Sequence, residues 1–175
     1  MVNYFELYGL SETFNPDSAL LKKRYYELSR QYHPDRFTQA GEAERIEALR
    51  VAAINNDAYK VLSNADLRMA YILKLNGHLE DEEKYNLPPS FLMEMMELNE
   101  AVSEYEMNEE ESLRNTAEAA ITEQNKQWET EVKPLTEAFD SGNRSDDILL
   151  KIKDYYFRKK YLLRIQQRID TFASR

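Results

Sequence analysis

The chain has 175 residues, 42% of them apolar, with four glycines, five prolines, no cysteine and a formal net charge of −9. That length suffices for one domain or two small ones, and so little Gly and Pro points to a mostly helical protein. Without thiols the chain offers no disulfide, no thiolate catalysis and no Cys ligand for a metal or an iron–sulfur cluster; it also lacks an apolar run of about 18 residues or a signal-peptide pattern, so a cytoplasmic location is expected.

The charge is unevenly spread. Residues 22–36 hold five basic and two acidic side chains, residues 80–123 fourteen acidic and two basic, and residues 151–175 eight basic and two acidic. A basic helix, an acidic middle and a basic end follow one another.

In chain order, residues 3–10 form a short helix candidate that Gly9 ends early. Asp17 or Ser18 caps the next helix, on which Leu21, Tyr25, Leu28 and Tyr32 recur at steps of four, three and four, one helical face. Lys22, Lys23 and Arg30 fall off that face. Pro34 cannot continue the helix, so His33, Pro34 and Asp35 are displayed on a loop reaching to Gly41. The third helix, over 42–63, takes its apolar positions from Ile46, Leu49, Ala53, Ala58, Val61 and Leu62, with Asn55, Asn56 and Asp57 on the rim. A fourth follows the Ser63-Asn64 break and stops at Asn76-Gly77. Four consecutive acids and Pro88-Pro89 give residues 77–89 the composition of a linker.

Ser90 is the expected cap of a helix running to Tyr105 or Met107. At 100° per residue, Phe91, Met95, Leu98, Val102 and Tyr105 cluster on one stripe. Leu92, Met93 and Met96 lie elsewhere, and Glu97, Glu100 and Glu104 extend that second face. Periodicity leaves two arrangements open: a protein-binding patch of soft apolar side chains rimmed by carboxylates, or a helix buried on two sides with solubilising glutamates. The next helix carries Leu113, Ala117, Ala120, Ile121, Trp128, Val132 and Leu135, and Pro134 is expected to kink or shorten it. The last, over 146–172, carries Ile148, Ile152, Tyr155, Leu162 and Ile169 on one face, with its basic side chains against the acidic helices. Three helices with short connections read as an antiparallel bundle.

The run from Leu21 through His33, Pro34, Asp35, Arg36 and Phe37, with the opening residues 3–10, closely resembles the J domain of DnaJ-type co-chaperones. The resemblance implies docking on the ATPase domain of a heat-shock chaperone through His33, Pro34, Asp35, Lys22, Lys23, Arg24, Arg30 and Arg36. The physics agrees: cations steer encounter with an acidic surface, and Asp35 can make a charge-assisted hydrogen bond. Nucleic acid is not the expected partner, because the basic strip is short and lacks an aromatic stacking platform.

A J domain followed by an acidic linker and three further helices resembles the HscB-type co-chaperones of iron–sulfur cluster assembly, whose client-binding helix the run from Phe91 to Glu100 matches. The implied fold is all-α: a J domain over 1–76, a helical hairpin with short flanking helices; a linker over 77–89; and a three-helix client-binding bundle over 90–175. The implied client is the IscU-type scaffold, touched by Leu92, Met93, Met96, Glu97, Glu100, Glu104 and an aromatic of the last helix. Phe157 is the expected aromatic because it faces away from the apolar stripe, with Tyr156 beside it. Such a chain would not be an enzyme. It would stimulate the ATPase of an HscA- or DnaK-class partner and deliver the scaffold to it, with no cofactor, no metal, no nucleic acid and no membrane. The alternative is a J-domain adaptor for another client, its bundle serving dimerisation or another partner. Eukaryotic relatives often carry Cys-x-x-Cys pairs near the N-terminus; their absence here suggests a bacterial-type form.

Overall fold

The computed structural model describes residues 2–174; Met1 and Arg175, at the outer ends of the expected domains, lie outside them. Among the described residues every regular element is a helix. Asn3 starts α1 (Tyr4–Leu7) by accepting the amides of Phe5 and Glu6. This helix is shorter than expected because the chain turns at Gly9, whose φ of +62° is left-handed backbone open to glycine.

Asp17 Oδ1 caps α2 (Ser18–Gln31), accepting from the amides of Ala19 and Leu20 at 2.8 and 3.1 Å. After a 3-10 turn at Pro34–Phe37, α3 (Glu42–Ser63) runs back antiparallel to α2. Tyr25 stacks on Tyr59 at 4.4 Å, and one turn along α2 Ser29 meets Asn55. The level of Ile46 and Leu49 is faced by the loop after α2 rather than by the helix. Both are therefore exposed, contrary to expectation, as is Ala53, and Ala48 takes the buried position there. Asn55 departs the other way. It is not on the rim but in the interior, where its carboxamide is fully engaged.

Asn64 caps α4 (Ala65–Leu75) through the amides of Asp66 and Leu67, both at 3.0 Å. Gly77, at φ +72°, then turns the chain out. The acidic segment beyond it is not free. Leu79 is buried, Tyr85 lies flat on Phe157, and Glu83 pairs with Lys153. Its acid-rich composition masks three apolar anchors, Leu79, Tyr85 and Leu87.

The remaining helices are α5 (Pro89–Asn108), α6 (Glu111–Asp140) and α7 (Asp146–Ala173), packed on one another as a bundle. Ser90 does not cap α5. Pro89 is already its first residue, where the missing N–H costs nothing, and no side chain caps it. The stripe Phe91, Met95, Leu98, Val102 and Tyr105 is buried throughout, each large apolar side chain contributing roughly 1.5–3 kcal/mol. On α6, Ala117, Ile121, Trp128 and Val132 are buried while Ala120 is exposed. Pro134 does not shorten α6, which continues to Asp140. On α7 the stripe Ile148, Ile152, Tyr155, Leu162 and Ile169 is buried. Its cations reach acids on other elements, as expected: Arg168 to Glu106 on α5 and Arg158 to Glu131 on α6.

The two ends of the chain share one interior. Helices α4 and α7 pack together, and Lys159 pairs with Asp66 at 2.6 Å. The loop before α2 docks on the α6–α7 turn, with Phe14 edge-on to Phe139 at 4.9 Å. The Asp140 carboxylate accepts from the amides of Phe14 and Asn15 at 2.7 and 3.1 Å and from the Asn15 carboxamide at 2.9 Å. His78 and Asp146 approach to 3.1 Å at the other side of this seam.

Candidate functional site

Two surfaces gather the residues singled out above. The first is the loop at the end of α2. Pro34 occupies the first position of the 3-10 turn, and His33 caps that turn by accepting the Asp35 amide on Nδ1 at 3.3 Å. The Arg36 amide donates to the His33 carbonyl at 3.0 Å, and its guanidinium donates to the Arg30 carbonyl at 3.2 Å, tying the loop to the last turn of α2. Tyr32 and Phe37 lie parallel, with centroids 6.4 Å apart. These contacts fix the backbone and leave the Asp35 side chain 86% exposed. One of its oxygens lies 3.5 Å from His33 Nδ1, and the carboxylate remains an acceptor open to a partner on its outer side.

The cations of α2 are all exposed, but they are not equivalent. Glu27 binds Arg24 at 3.0 Å and lies 4.0 Å from Lys23. Among the described residues Lys22 and Arg30 have no such partner, so they carry most of the field this helix projects. Beside the loop, Pro34, Phe37, Arg45, Ala48 and Leu49 line a shallow hollow of about 290 Å³. The exposed Ile46 and Leu49 next to it were missed by sequence reasoning, because an apolar residue at helical spacing reads as core wherever the opposing helix ends.

The second surface is the outer face of α5. Leu92, Met93 and Met96 are 43%, 69% and 55% exposed. Glu97, Glu100 and Glu104 are exposed as well, and among the described residues none of the three is paired. The helix is therefore not buried on two sides, and the arrangement realised is the apolar patch with a carboxylate rim. Such a patch offers soft, adaptable contacts at its centre and unneutralised charge at its edge.

The aromatic expected to complete this face does not. Phe157 is 8% exposed, because Tyr85 stacks on it at 4.4 Å with the rings within 2° of parallel. It faces away from the apolar stripe of α7, as expected, but the segment before α5 covers it. Tyr156 is half-buried, edge-on to Phe157 at 5.2 Å, and burial pushes its phenol pKa up. Two α7 aromatics adjoin α5: Tyr161, whose hydroxyl accepts from the Asn99 carboxamide at 3.0 Å and whose ring stands edge-on to Phe91, and Phe172, edge-on to Tyr105 at the far end of the helix.

Among the described residues no group of three or more His, Cys, Asp or Glu side chains is placed to hold a metal ion, and no helix is long and apolar enough to cross a membrane.

Residues 3–71 match the family described as "DnaJ domain", and residues 87–170 the family described as "HSCB C-terminal oligomerisation domain". A Vibrio vulnificus (strain YJ016) protein named "Co-chaperone protein HscB homolog" is 43% identical over 104 residues, 59% of this chain and 61% of that protein. A relative of the same name from Vibrio cholerae serotype O1 (strain M66-2) is 42% identical over 100 residues, 57% of this chain and 58% of that protein. The matched segments thus span less than two thirds of these relatives. Among solved structures, human co-chaperone protein HscB superposes with a TM-score of 0.79 at 30% identity, covering 97% of this chain and 81% of that one. Chaperone HscB from Vibrio cholerae superposes with a TM-score of 0.77 at 28% identity, covering 98% of both chains.

Proposed function

The chain belongs to the HscB family of J-domain co-chaperones, and on that footing we propose that it is a two-ended adaptor: one end stimulates the ATPase of an HscA- or DnaK-class chaperone, the other carries an IscU-type iron–sulfur scaffold to it. The observation that carries this reading is the pairing of two separately exposed surfaces on one chain, the Asp35 loop and the α5 face. The hydrolytic chemistry belongs to the partner; what this chain supplies is contact.

At the first surface Lys22 and Arg30, with Lys23, Arg24 and Arg36, bring an acidic ATPase face into register, mostly as on-rate and orientation. Asp35 then makes a charge-assisted hydrogen bond, an interaction worth about 1.5–3 kcal/mol. Pro34 and His33 hold the turn that aims it. At the second surface Leu92, Met93 and Met96 bury against the scaffold while Glu97, Glu100 and Glu104 meet its cations. Capturing the scaffold on the same chain that triggers hydrolysis ties the chaperone's closure to the presence of its client.

The description of the matching C-terminal family as an oligomerisation domain favours a second reading, in which α5 pairs with a second copy of this chain. A parallel two-fold pairing would set Glu97, Glu100 and Glu104 against their own copies, like charges confronting one another across an apolar strip, and an antiparallel one would leave them facing no cation of α5. That cost favours a partner of different composition.

The test is Asp35→Asn in the full chain. Stimulation of single-turnover ATP hydrolysis is expected to vanish while scaffold binding persists; stimulation retained in full overturns the assignment of Asp35.

A further inference from the structure

Between the segment before α5 and the flank of α7 lies a groove of about 500 Å³ that neither surface above uses. Its floor is aromatic, made by Tyr85, Phe157 and Tyr161, and its rim carries Lys84, Lys160 and Arg164. All three cations are exposed. Among the described residues Lys84 and Arg164 make no ion pair and no hydrogen bond, and Lys160 meets only the Tyr156 and Phe157 rings, each at 6.0 Å.

This is unusual for α7. Of its seven cations, Lys151, Lys153, Arg158, Lys159 and Arg168 each hold a carboxylate. The two left over are one turn apart and share the groove with Lys84. Two acids also line it. Glu83 is taken by Lys153, and Glu82 remains, so the rim keeps a surplus of positive charge in a chain that is strongly negative overall.

The groove is continuous with the α5 face. Tyr161, part of its floor, also binds Asn99 and packs on Phe91. Asn99 lies seven residues after Leu92, about two turns along the same row of the helix. By helical angle on α5, moving away from the Asn99 side that Tyr161 contacts, one meets Leu92 and Met96 first, then Glu100, Met93, Glu104 and Glu97.

We propose that this groove receives an acidic segment of the same client that the α5 face holds, so that the client surface is oppositely charged at its two edges. The proposal rests on the reading of α5 given above. The partner it describes is a protein with basic side chains on one side of an apolar contact and acidic ones on the other. Turning such a partner end for end would bring like charges together on both edges, so the two rims set its orientation as well as its encounter rate.

The test uses the full chain carrying Lys84→Glu with Arg164→Glu, exposed side chains that among the described residues make no ion pair or hydrogen bond, so that the fold is expected to stay intact. Titration calorimetry with the IscU-type scaffold at low and at physiological salt should show affinity reduced tenfold or more at low salt, and a shallower salt dependence. Partial recovery when acidic residues of the scaffold are changed to Lys would support the proposal further. Lys60→Glu with Lys126→Glu makes the same change in net charge away from the groove and should leave affinity within twofold; an equal loss from that pair overturns the proposal as a bulk-charge effect. Unchanged binding by the groove variant while Leu92→Ala with Met96→Ala still weakens it overturns the groove alone. Unchanged binding in both overturns the α5 reading as well.

Discussion

The Tyr8 hydroxyl and the Asn55 carboxamide meet at 2.9 Å in the interior of the N-terminal half, although 47 residues separate them in the chain. The other end of the same carboxamide donates to the Tyr25 carbonyl and to Ser29 Oγ, both at 3.0 Å, so one side chain joins α3 to α2 and to the turn after α1. Burial pushes the Tyr8 phenol far above its ordinary pKa, as befits a hydroxyl kept neutral to donate. Asn55→Ala removes three side-chain hydrogen bonds to two elements, the Tyr8 hydroxyl keeping only the Asn55 backbone carbonyl at 3.1 Å, and is expected to lower stability by about 2–3 kcal/mol in urea unfolding. Tyr8→Phe removes one donor and is expected to cost about 1 kcal/mol. A smaller loss for Asn55→Ala than for Tyr8→Phe would show that the carboxamide is not the hub.

The Asp140 carboxylate holds the loop before α2 through three hydrogen bonds. Asp140→Ala is expected to cost about 1–3 kcal/mol and to release that loop from the α6–α7 turn. Hydrogen exchange should speed up at the Phe14 and Asn15 amides, while amides in the middle of α2 and α3 keep their protection. Unchanged exchange at Phe14 would mean that the Phe14–Phe139 contact alone suffices.

Tyr85 gives the segment before α5 a measurable pH response. Burial, reinforced by donation to Asp154 at 3.0 Å, pushes its phenol from 10.0 to about 12. Below pH 10 the phenol is protonated folded or unfolded, and its stabilising contribution is complete. Between pH 10 and 12 the unfolded chain ionises first, so the contribution falls, and it is gone once the folded-state phenol ionises. The stability difference between the parent chain and Tyr85→Phe, followed by thermal unfolding, should shrink across that window; a constant difference would place the stabilisation in ring stacking alone.

Leu92→Ala with Met96→Ala removes the centre of the exposed α5 patch. Because both side chains are about half in water already, the melting temperature should move little. Scaffold affinity should fall about tenfold or more, since central apolar anchors dominate such contacts. ATPase stimulation by the scaffold-free co-chaperone should be unaffected. Calorimetry showing unchanged affinity would remove α5 from the client surface.

Much of this organisation was legible in the sequence. Helical periodicity identified the buried stripe of α5 residue by residue, and it identified the second face as well, because angular position follows from spacing alone. Whether that second face was covered depended on what packs over it, which spacing does not encode. The same gap explains Phe157. Its orientation away from the α7 stripe was readable, but the lid over it is Tyr85, set among acids in a stretch that reads as linker. Asn55 escaped for a different reason: a polar residue on an apolar stripe joins the core only if partners converge on it, and here they come from two other elements, α2 and the turn after α1. Ile46 and Leu49 are the converse, correctly spaced apolar residues left uncovered because α2 stops short of them.

The anchoring of residues 76–88 bears on how two binding events communicate. A free chain of that length would let its ends roam over a root-mean-square distance of about 20 Å, and a tethered client would meet the chaperone at a local concentration set by that search. Stitched down by Leu79, Glu83 and Tyr85, the segment has no such freedom, and in the proposed adaptor it would present the client along a single vector. For such an adaptor immobility would be the useful property: slack inserted there would dilute the client at the chaperone rather than extend its reach.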